Sequence, residues 1–369
     1  MASINGCAQP QMRIRDFAAA AVNRIGLEER GAMNGITKVA VDAMGGDNAP
    51  EEIVKGAIEA VNEDSRVKVY LTGKQEVIRK ELTQYTYNAD QIEIVNAAEV
   101  IEMAEPPVMA IRKKKDSSIV VALNLVKQGT CDAFVSAGSS GAVLVGGQLI
   151  VGRIKGIERP PLAPLIPTEK GCSLLIDCGA NVDARPSHLV QFAKMGSVYM
   201  ESVMGISKPK VAIVNIGAEE EKGNALVKET FPLLKNCPEI NFIGSIEARD
   251  IPTGYADVIV CEAFAGNIIL KLYEGVGATL IKKVKAGMMT SLRSKIGALL
   301  VKPALKETLK CFSLEEYGGA PLLGLNGLVV KTHGSSKAIE IKNSILQCVT
   351  FKEQNINEKI REKVILKDE

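Results

Sequence analysis

The stretch Val39-Ala-Val-Asp-Ala-Met-Gly-Gly-Asp-Asn-Ala-Pro50 decides how this chain is read. Its valine-rich start is a short apolar run of the kind that forms a buried strand. It breaks at Gly45-Gly46, where the backbone can approach a ligand without interference from Cβ atoms. Asn48 is the expected N-cap of a helix, Pro50 falls near its first position, and Glu51 and Glu52 suit its first turn. A strand, a polar glycine turn and a helix start in such close order can hold an anion at the helix N-terminus.

Working outward, apolar runs and helical periods alternate from Lys38 onward, which predicts an α/β fold. Strands are expected at 38–43, 67–72, 91–95, 132–136, 173–177, 210–215, 241–244, 257–261 and 328–332. Helices are expected at 50–63, 74–84, 117–129, 141–154, 186–205, 224–236, 266–286 and 336–361. The implied architecture is three-layer α/β/α: a mainly parallel sheet with crossover helices on both faces and ligands beyond the strands' C-terminal ends. The proline-rich piece Arg159-Pro-Pro-Leu-Ala-Pro-Leu-Ile-Pro167 reads as a loop, and as a boundary between two lobes. Residues 1–36 stand apart, with an alanine run and scattered arginines, and read as an appended tail, disordered or helical. Residues 37–369 are then one α/β unit.

The bulk numbers exclude several classes. With 46% hydrophobic and 24% charged residues, the chain is an ordinary soluble globular one. A net charge of +2 supplies no global field for nucleic acid, and the absence of Trp argues against base-stacking platforms. Eight Cys without a CxxC and only two His make a standard zinc site improbable, so no metal is expected, and no cofactor is expected either. Reduced thiols in a cytoplasmic protein are the simpler account. No apolar run approaches the ~20 residues that span a membrane.

Several strand ends carry similar cargo: small residues, an amide or acid, then a helix. Besides the opening stretch these are Val135-Ser-Ala-Gly-Ser-Ser-Gly-Ala142, Leu175-Ile-Asp-Cys-Gly-Ala-Asn181 and Val214-Asn-Ile-Gly-Ala-Glu-Glu-Glu-Lys-Gly-Asn224. Val260-Cys-Glu-Ala-Phe-Ala-Gly-Asn267 and Lys331-Thr-His-Gly-Ser-Ser336 complete the set. Together they predict an anion-tolerant cleft lined by backbone amides, hydroxyls and carboxamides. Neither standard nucleotide loop is present, there is no GxSxG, and two histidines give little material for a Ser-His-Asp triad. His188 falls on a helical face with Leu189 and Phe192 and reads as structural. Cys178 and Cys261 read as inert buried thiols. Lys222 can present its ammonium to a phosphate, or it can simply pair with Glu219 to Glu221. Asn267 can donate to an oxyanion, or it can be an N-cap.

These motifs together resemble the phosphate acyltransferase family PlsX, the acyl-acyl-carrier-protein:phosphate acyltransferases of phospholipid synthesis. The resemblance rests on VDAMGGDNAP (41–50), VSAGSSGA (135–142), GRIKGIERP (152–160), IDCGANVDARP (176–186) and QFAKMGSVY (191–199). It continues through NIGAEEEKGN (215–224), AFAGNIILKLYEG (263–275), YGGAPLLGLNG (317–327) and HGSS (333–336), and leaves the first 36 residues uncovered. The chain departs from the family's usual residues at Ser139-Ser140, at Glu262-Ala263 and at Gly244-Ser245. The resemblance implies a fold like that of isopropylmalate and isocitrate dehydrogenases, and a homodimer.

It also implies attack of inorganic phosphate on a fatty acyl thioester, giving acyl phosphate and free acyl carrier protein. A thiol leaving group has a pKa near ~8.5 and needs little acid assistance, and phosphate is itself the nucleophile, so no triad is required. Holding a dianion beside the electrophile and stabilising a tetrahedral oxyanion are the remaining demands. Lys222 is assigned to phosphate charge and oxyanion stabilisation and Asn267 to an oxyanion hydrogen bond. Gly45, Gly46, Ser139, Ser140, Asn181 and His333 are assigned to the phosphate cradle.

Residues 276–312 carry seven Lys and one Arg against a single Glu, interleaved with large apolar residues. Interrupted at Gly287 and Gly297 and stopped at Pro303, they read as a basic amphipathic helical hairpin. Such a hairpin suits either an anionic membrane surface or dimer packing, and the resemblance implies both. The partners expected are therefore acyl carrier protein, inorganic phosphate, a second copy, the membrane surface and a downstream membrane acyltransferase, with no nucleic acid. The run Arg112-Lys113-Lys114-Lys115 is either a contact for an acidic carrier or a solvated helix end. Competing readings are a phosphotransacetylase-like enzyme using acyl coenzyme A, a decarboxylating dehydrogenase and a lipid-responsive binding protein on the same fold.

Overall fold

The strands at Thr37–Asp42 (β1) and Val67–Gly73 (β2) are apolar on both faces, as central parallel strands covered on both sides must be. They belong to a computed structural model that describes residues 35–311 and 317–365. The tail expected at 1–36 lies almost wholly outside the described residues. β1 and β2 are joined by α1 (Glu51–Glu63). The chain continues through α2 (Gln75–Leu82), β3 (Ile92–Asn96), α3 (Pro107–Lys113) and α4 (Ser118–Lys127) to β4 (Ala133–Ser136). After α5 (Ser140–Gly146) it crosses to a second sheet: β5 (Leu165–Thr168), β6 (Gly171–Ile176), α6 (Pro186–Val203), β7 (Lys210–Val214), α7 (Ala225–Lys235), β8 (Asn241–Ile246) and β9 (Val258–Val260). Two long helices follow, α8 (Ala263–Met288) and α9 (Leu292–Cys311), and the chain then returns to the first sheet as β10 (Ala320–Leu322) and β11 (Leu328–Lys331). Helices α10 (Ala338–Glu353) and α11 (Ile356–Ile360) close it.

The first sheet has the order β10-β11-β4-β1-β2-β3 and the second β5-β6-β9-β7-β8. All pairings are parallel except those of the edge strands β10 and β5. One face of the first sheet packs Ala40, Tyr70, Phe134 and Val329 against α3, α4 and α5. Its other face joins a larger core with α1, α6 and α10 that also takes Leu174, Ile213 and Val258 of the second sheet. The sheets thus share one apolar interior, and Gln347 Nε2 donates 2.9 Å to the fully buried Tyr199 hydroxyl across it. α8 begins on the opposite face of the second sheet, where Ala265, Ile269 and Leu270 pack on Ile166, Leu175 and Ile259. The expected three-layer α/β/α architecture with crossover helices is what forms.

Several boundaries differ from the expectations. The piece 159–167 is not loop throughout. Leu165–Thr168 pairs with β6 as an edge strand, the sheet position where a proline costs no ladder bond. Asn48 does not cap α1: its side-chain amide donates to the carbonyls of Ser335 (2.9 Å) and Ser336 (3.2 Å), and Pro50 takes the cap position. Pro303 does not stop the second basic helix but sits inside α9. The carbonyl it leaves without a partner is on an exposed helix, where water can satisfy it.

Candidate active site

Parallel register brings the ends of three adjacent strands level. Lys331 of β11 pairs with Ser136 of β4, and Val41 of β1 pairs with Val135. Asp42, Ser136 and Lys331 therefore form a row, and Ser136 Oγ donates 2.7 Å to Asp42 Oδ2. Burial pushes the Asp42 carboxyl up, opposed by hydrogen bonds from Ser118 and Ser136.

The turns that follow these strands pack against one another. A Cβ on Gly45 would fall 2.2 Å from Asp42 Oδ2 and 2.8 Å from the Gly138 backbone. Gly46, at φ +101°, would meet Ala137 and the Gly334 carbonyl, so only glycine fits both demands there. Asp47 N donates 2.7 Å to Gly334 O. Ser139 is buried and caps α5, accepting from Ala142 N at 3.4 Å, while Ser140 is exposed. His333 is exposed, with Nδ1 2.8 Å from Ser335 Oγ. Gly45, Gly46, Ser139, Ser140 and His333 thus stand on one rim, at the C-terminal ends of β1, β4 and β11.

The second sheet presents its own rim. Asp177, wholly buried after β6, accepts from the backbone amides of Leu162, Gly179, Ala180 and Asn181 and from Asn181 Nδ2. Asn181 Nδ2 also donates 3.0 Å to Pro160 O, and Asn181 O accepts from Ala263 N. Its carboxamide nitrogen is therefore engaged in tying three segments together. After β7, Asn215 Nδ2 holds Lys222 O (3.2 Å) and Ser245 Oγ (3.1 Å), which shapes the loop bearing Lys222. The Lys222 ammonium is about half exposed and bridges Glu219 at 2.7 Å. Glu262 caps α8, accepting from Phe264 N and Ala265 N, so the carboxylate at this departure from the family pattern performs a capping role. Asn267 is not that cap. It is exposed one turn further along α8.

An open pocket of ≈ 560 Å³ lies beside this rim, lined by Val182, Asp183, Arg185, Asn224, Leu226 and Phe264 among others. Phe264 and Val182 are 63% and 62% exposed, an apolar mouth between the starts of α7 and α8. The groups read as structural are housed accordingly. His188 is buried, accepts from Arg185 N and pairs with Glu158, and burial lowers its pKa. Burial drives the Cys178 and Cys261 thiols well above their usual range, which makes them poor nucleophiles. Lys114 of the basic run is folded onto Glu105 at 2.6 Å.

Sequence reasoning passed over Lys331. It opens the turn Lys331–Ser336, is 7% exposed, and burial pulls its pKa down to about 8. The signal was its position: a lysine directly after Leu-Val-Val faces a sheet interior if the strand is parallel and central.

The family model described as "Fatty acid synthesis protein" matches residues 37–359. The chain is 51% identical over 322 residues to the phosphate acyltransferase of Clostridium acetobutylicum, covering 87% of this chain and 97% of that one. It is 52% identical over 325 residues to that of Clostridium botulinum, covering 88% and 98%. In fold it is similar to a phosphotransacetylase from Streptococcus pyogenes, with a TM-score of 0.60 at 18% identity over 92% of this chain and 100% of that one. It is likewise similar to the EutD phosphotransacetylase of Staphylococcus aureus, with a TM-score of 0.58 at 16% identity over 93% and 99%. With half its residues shared across nearly the whole length of these relatives, the chain belongs to the phosphate acyltransferase (PlsX) family of acyltransferases.

Proposed function

We propose that this protein transfers a fatty acyl group from acyl-acyl carrier protein to inorganic phosphate, making acyl phosphate for phospholipid synthesis. The observation that carries this reading is the mutual packing of three glycine- and hydroxyl-bearing turns at the ends of β1, β4 and β11. Backbone that close, with hydroxyls at its edge, suits a small tetrahedral oxyanion.

In the reaction a phosphate oxygen attacks the thioester carbonyl carbon, forming a C–O bond while the carbonyl electrons move to oxygen. The tetrahedral oxyanion collapses, the C–S bond breaks, and the thiolate leaves and takes a proton from solvent. Gly45, Gly46, Ser139, Ser140 and His333 cradle the phosphate, and Asn181 holds the facing loop. Lys222 gives up the exposed Glu219 carboxylate for the more highly charged phosphate and then stabilises the oxyanion with Asn267. The acyl thioester enters beside Phe264. No side-chain nucleophile is needed, which accords with the protonated state of Cys178 and Cys261.

The surface reading is tied to α8 and α9. No residue of 276–305 is buried, and Ile268, Leu272, Val276, Leu280 and Val284 recur at helical spacing as an exposed apolar stripe. That stripe packs against a second copy, and the basic, Met- and Leu-rich turn between the helices rests on an anionic membrane, near a downstream membrane acyltransferase. Among the described residues no helix is long and apolar enough to cross a membrane. The enzyme then works in the cytoplasm as a peripheral dimer.

The test is phosphate-dependent consumption of acyl-acyl carrier protein, with acyl phosphate trapped by hydroxylamine and acyl coenzyme A assayed in parallel. Turnover only with the coenzyme A thioester would replace the donor. Turnover with neither would end the reading.

A further inference from the structure

We propose that Lys331 is the cation that receives the attacking phosphate, binding it directly between the Gly45-Gly46 turn and the start of α8. This rests on the acyl-transfer reading above and assigns a residue that no motif reading had singled out.

Its position is unusual for an ammonium. Lys331 is 7% exposed at the end of β11, level with Ser136 and one strand removed from Asp42, in the row from which the phosphate-cradle turns spring. Among the described residues its Nζ is hydrogen-bonded only to the main-chain carbonyls of Ala137 and Thr332. Among the described residues no carboxylate stands at ion-pair distance from it. A buried cation without a paired anion is costly, and proteins keep one mainly where a ligand supplies the charge.

The neighbouring charges point the same way. Asp42 and Asp47 act on Lys331 through space and favour its charged form, but Asp42 is itself held towards neutrality by burial. Lys271, on the helix that carries Asn267, acts on it with the opposite sign. Lys271 already bridges Glu274 at 2.7 Å, so the charge that a bound dianion would relieve is that of Lys331. The same turn also has hydroxyls to spare, since Thr332 Oγ1 and Ser336 Oγ are buried and have no hydrogen-bond partner among the described residues. A lysine, unlike an arginine, places a compact point charge on a flexible stem and can follow the phosphate as it moves onto the acyl carbon.

The phosphoryl group recognised has two sources: free phosphate, or the phosphodiester of the carrier's pantetheine arm. We assign free phosphate, because Lys331 lies among the cradle turns of the first sheet and the apolar pocket opens on the second. The test is Lys331→Met in the full-length enzyme, which keeps the stem and removes the charge. The KM for phosphate should rise about tenfold or more, with the KM for the thioester within about twofold of wild type and the melting temperature unchanged or higher. An unchanged KM for phosphate overturns the assignment, and so does a rise confined to the carrier thioester and absent with an acyl thioester that lacks the phosphodiester. If the variant does not turn over, inorganic phosphate is titrated calorimetrically. Wild-type binding lost in Lys331→Met supports the assignment, and equal binding, or none by wild type, overturns it. Failure of wild type to form acyl phosphate would instead sink the reaction, and the calorimetric arm would still decide whether Lys331 holds phosphate.

Discussion

Gly266 lies against the main chain of Asp177 so closely that a Cβ added to it would fall 1.8 Å from the Asp177 carbonyl oxygen. The start of α8 is therefore seated directly on the strand end whose carboxylate organises residues 162 and 179–181, and Asn267 is placed by that seating.

Gly266→Ala must push α8 off its seat. We expect a loss of about 1–3 kcal/mol of stability in urea unfolding, the usual range for overpacking. Acyl phosphate formation should fall by about 10²-fold, because a displacement of the order of 1 Å at a positioning element costs that much. The control is Gly277→Ala on the same helix, which meets nothing within 4 Å. It should leave activity unchanged and stabilise slightly. Wild-type activity in Gly266→Ala would show that the position of Asn267 does not matter.

Lys222→Ala should lower acyl phosphate formation by about 10²-fold or more, as removal of an oxyanion-stabilising group does. Its partner Glu219 is exposed, so the melting temperature should not change. Circular dichroism and the trapping assay separate the two effects. Persistence of near wild-type turnover would remove Lys222 from the chemistry.

Lys331 predicts a pH dependence of both activity and stability. The groups acting on it are Asp42 and Asp47, which favour the charged form, and Lys271, which opposes it. With its pKa pulled down to about 8, the ammonium is lost in the free enzyme above that pH. The kcat/KM for phosphate should then decline above about 8 in wild type and lose this limb in Lys331→Met. For stability the sign is opposite to that of a salt-bridged lysine. Between about 8 and 10.5 the unfolded chain binds the proton that the folded chain does not, so this group's contribution becomes more favourable as pH rises through that window. Denaturant titrations of wild type and variant across that range check it.

The α8–α9 hairpin predicts two separable losses. Leu272→Asp combined with Leu280→Asp should convert a dimer to monomers by analytical ultracentrifugation. Changing Met288, Met289 and Leu292 to Ser should abolish co-sedimentation with anionic vesicles and leave solution turnover intact. Unaltered sedimentation of the second variant would exclude that turn as the membrane contact.

Much of the fold was legible because its central strands are buried on both faces and are bounded by glycines, so the apolar runs at 37–42, 67–73, 133–136 and 210–214 could hardly be anything else. What escaped was decided by long-range pairing. Leu165–Thr168 became a strand only because β6 lies beside it. Asn48 gave up a local cap for the carbonyls of Ser335 and Ser336, far along the chain. In the site, glycine turns and Lys222 were visible as local motifs. That the turns after β1, β4 and β11 are neighbours, and that the turn after β7 belongs to another rim, follows from strand order, which no single segment encodes. Lys331 was missed for the same reason, since only the register of β11 on β4 takes it out of water.

The burial of the cysteines makes the protein its own reporter of breathing. Cys131 and Cys348 lie with the first sheet and Cys178 and Cys261 with the second, all buried. Burial pushes the Cys131 thiol up to about 12, and it drives those of Cys178, Cys261 and Cys348 well above their usual range. Alkylation at these positions must therefore wait for local opening. Peptide-resolved labelling rates would tell which half loosens first, and whether phosphate quiets one half or both.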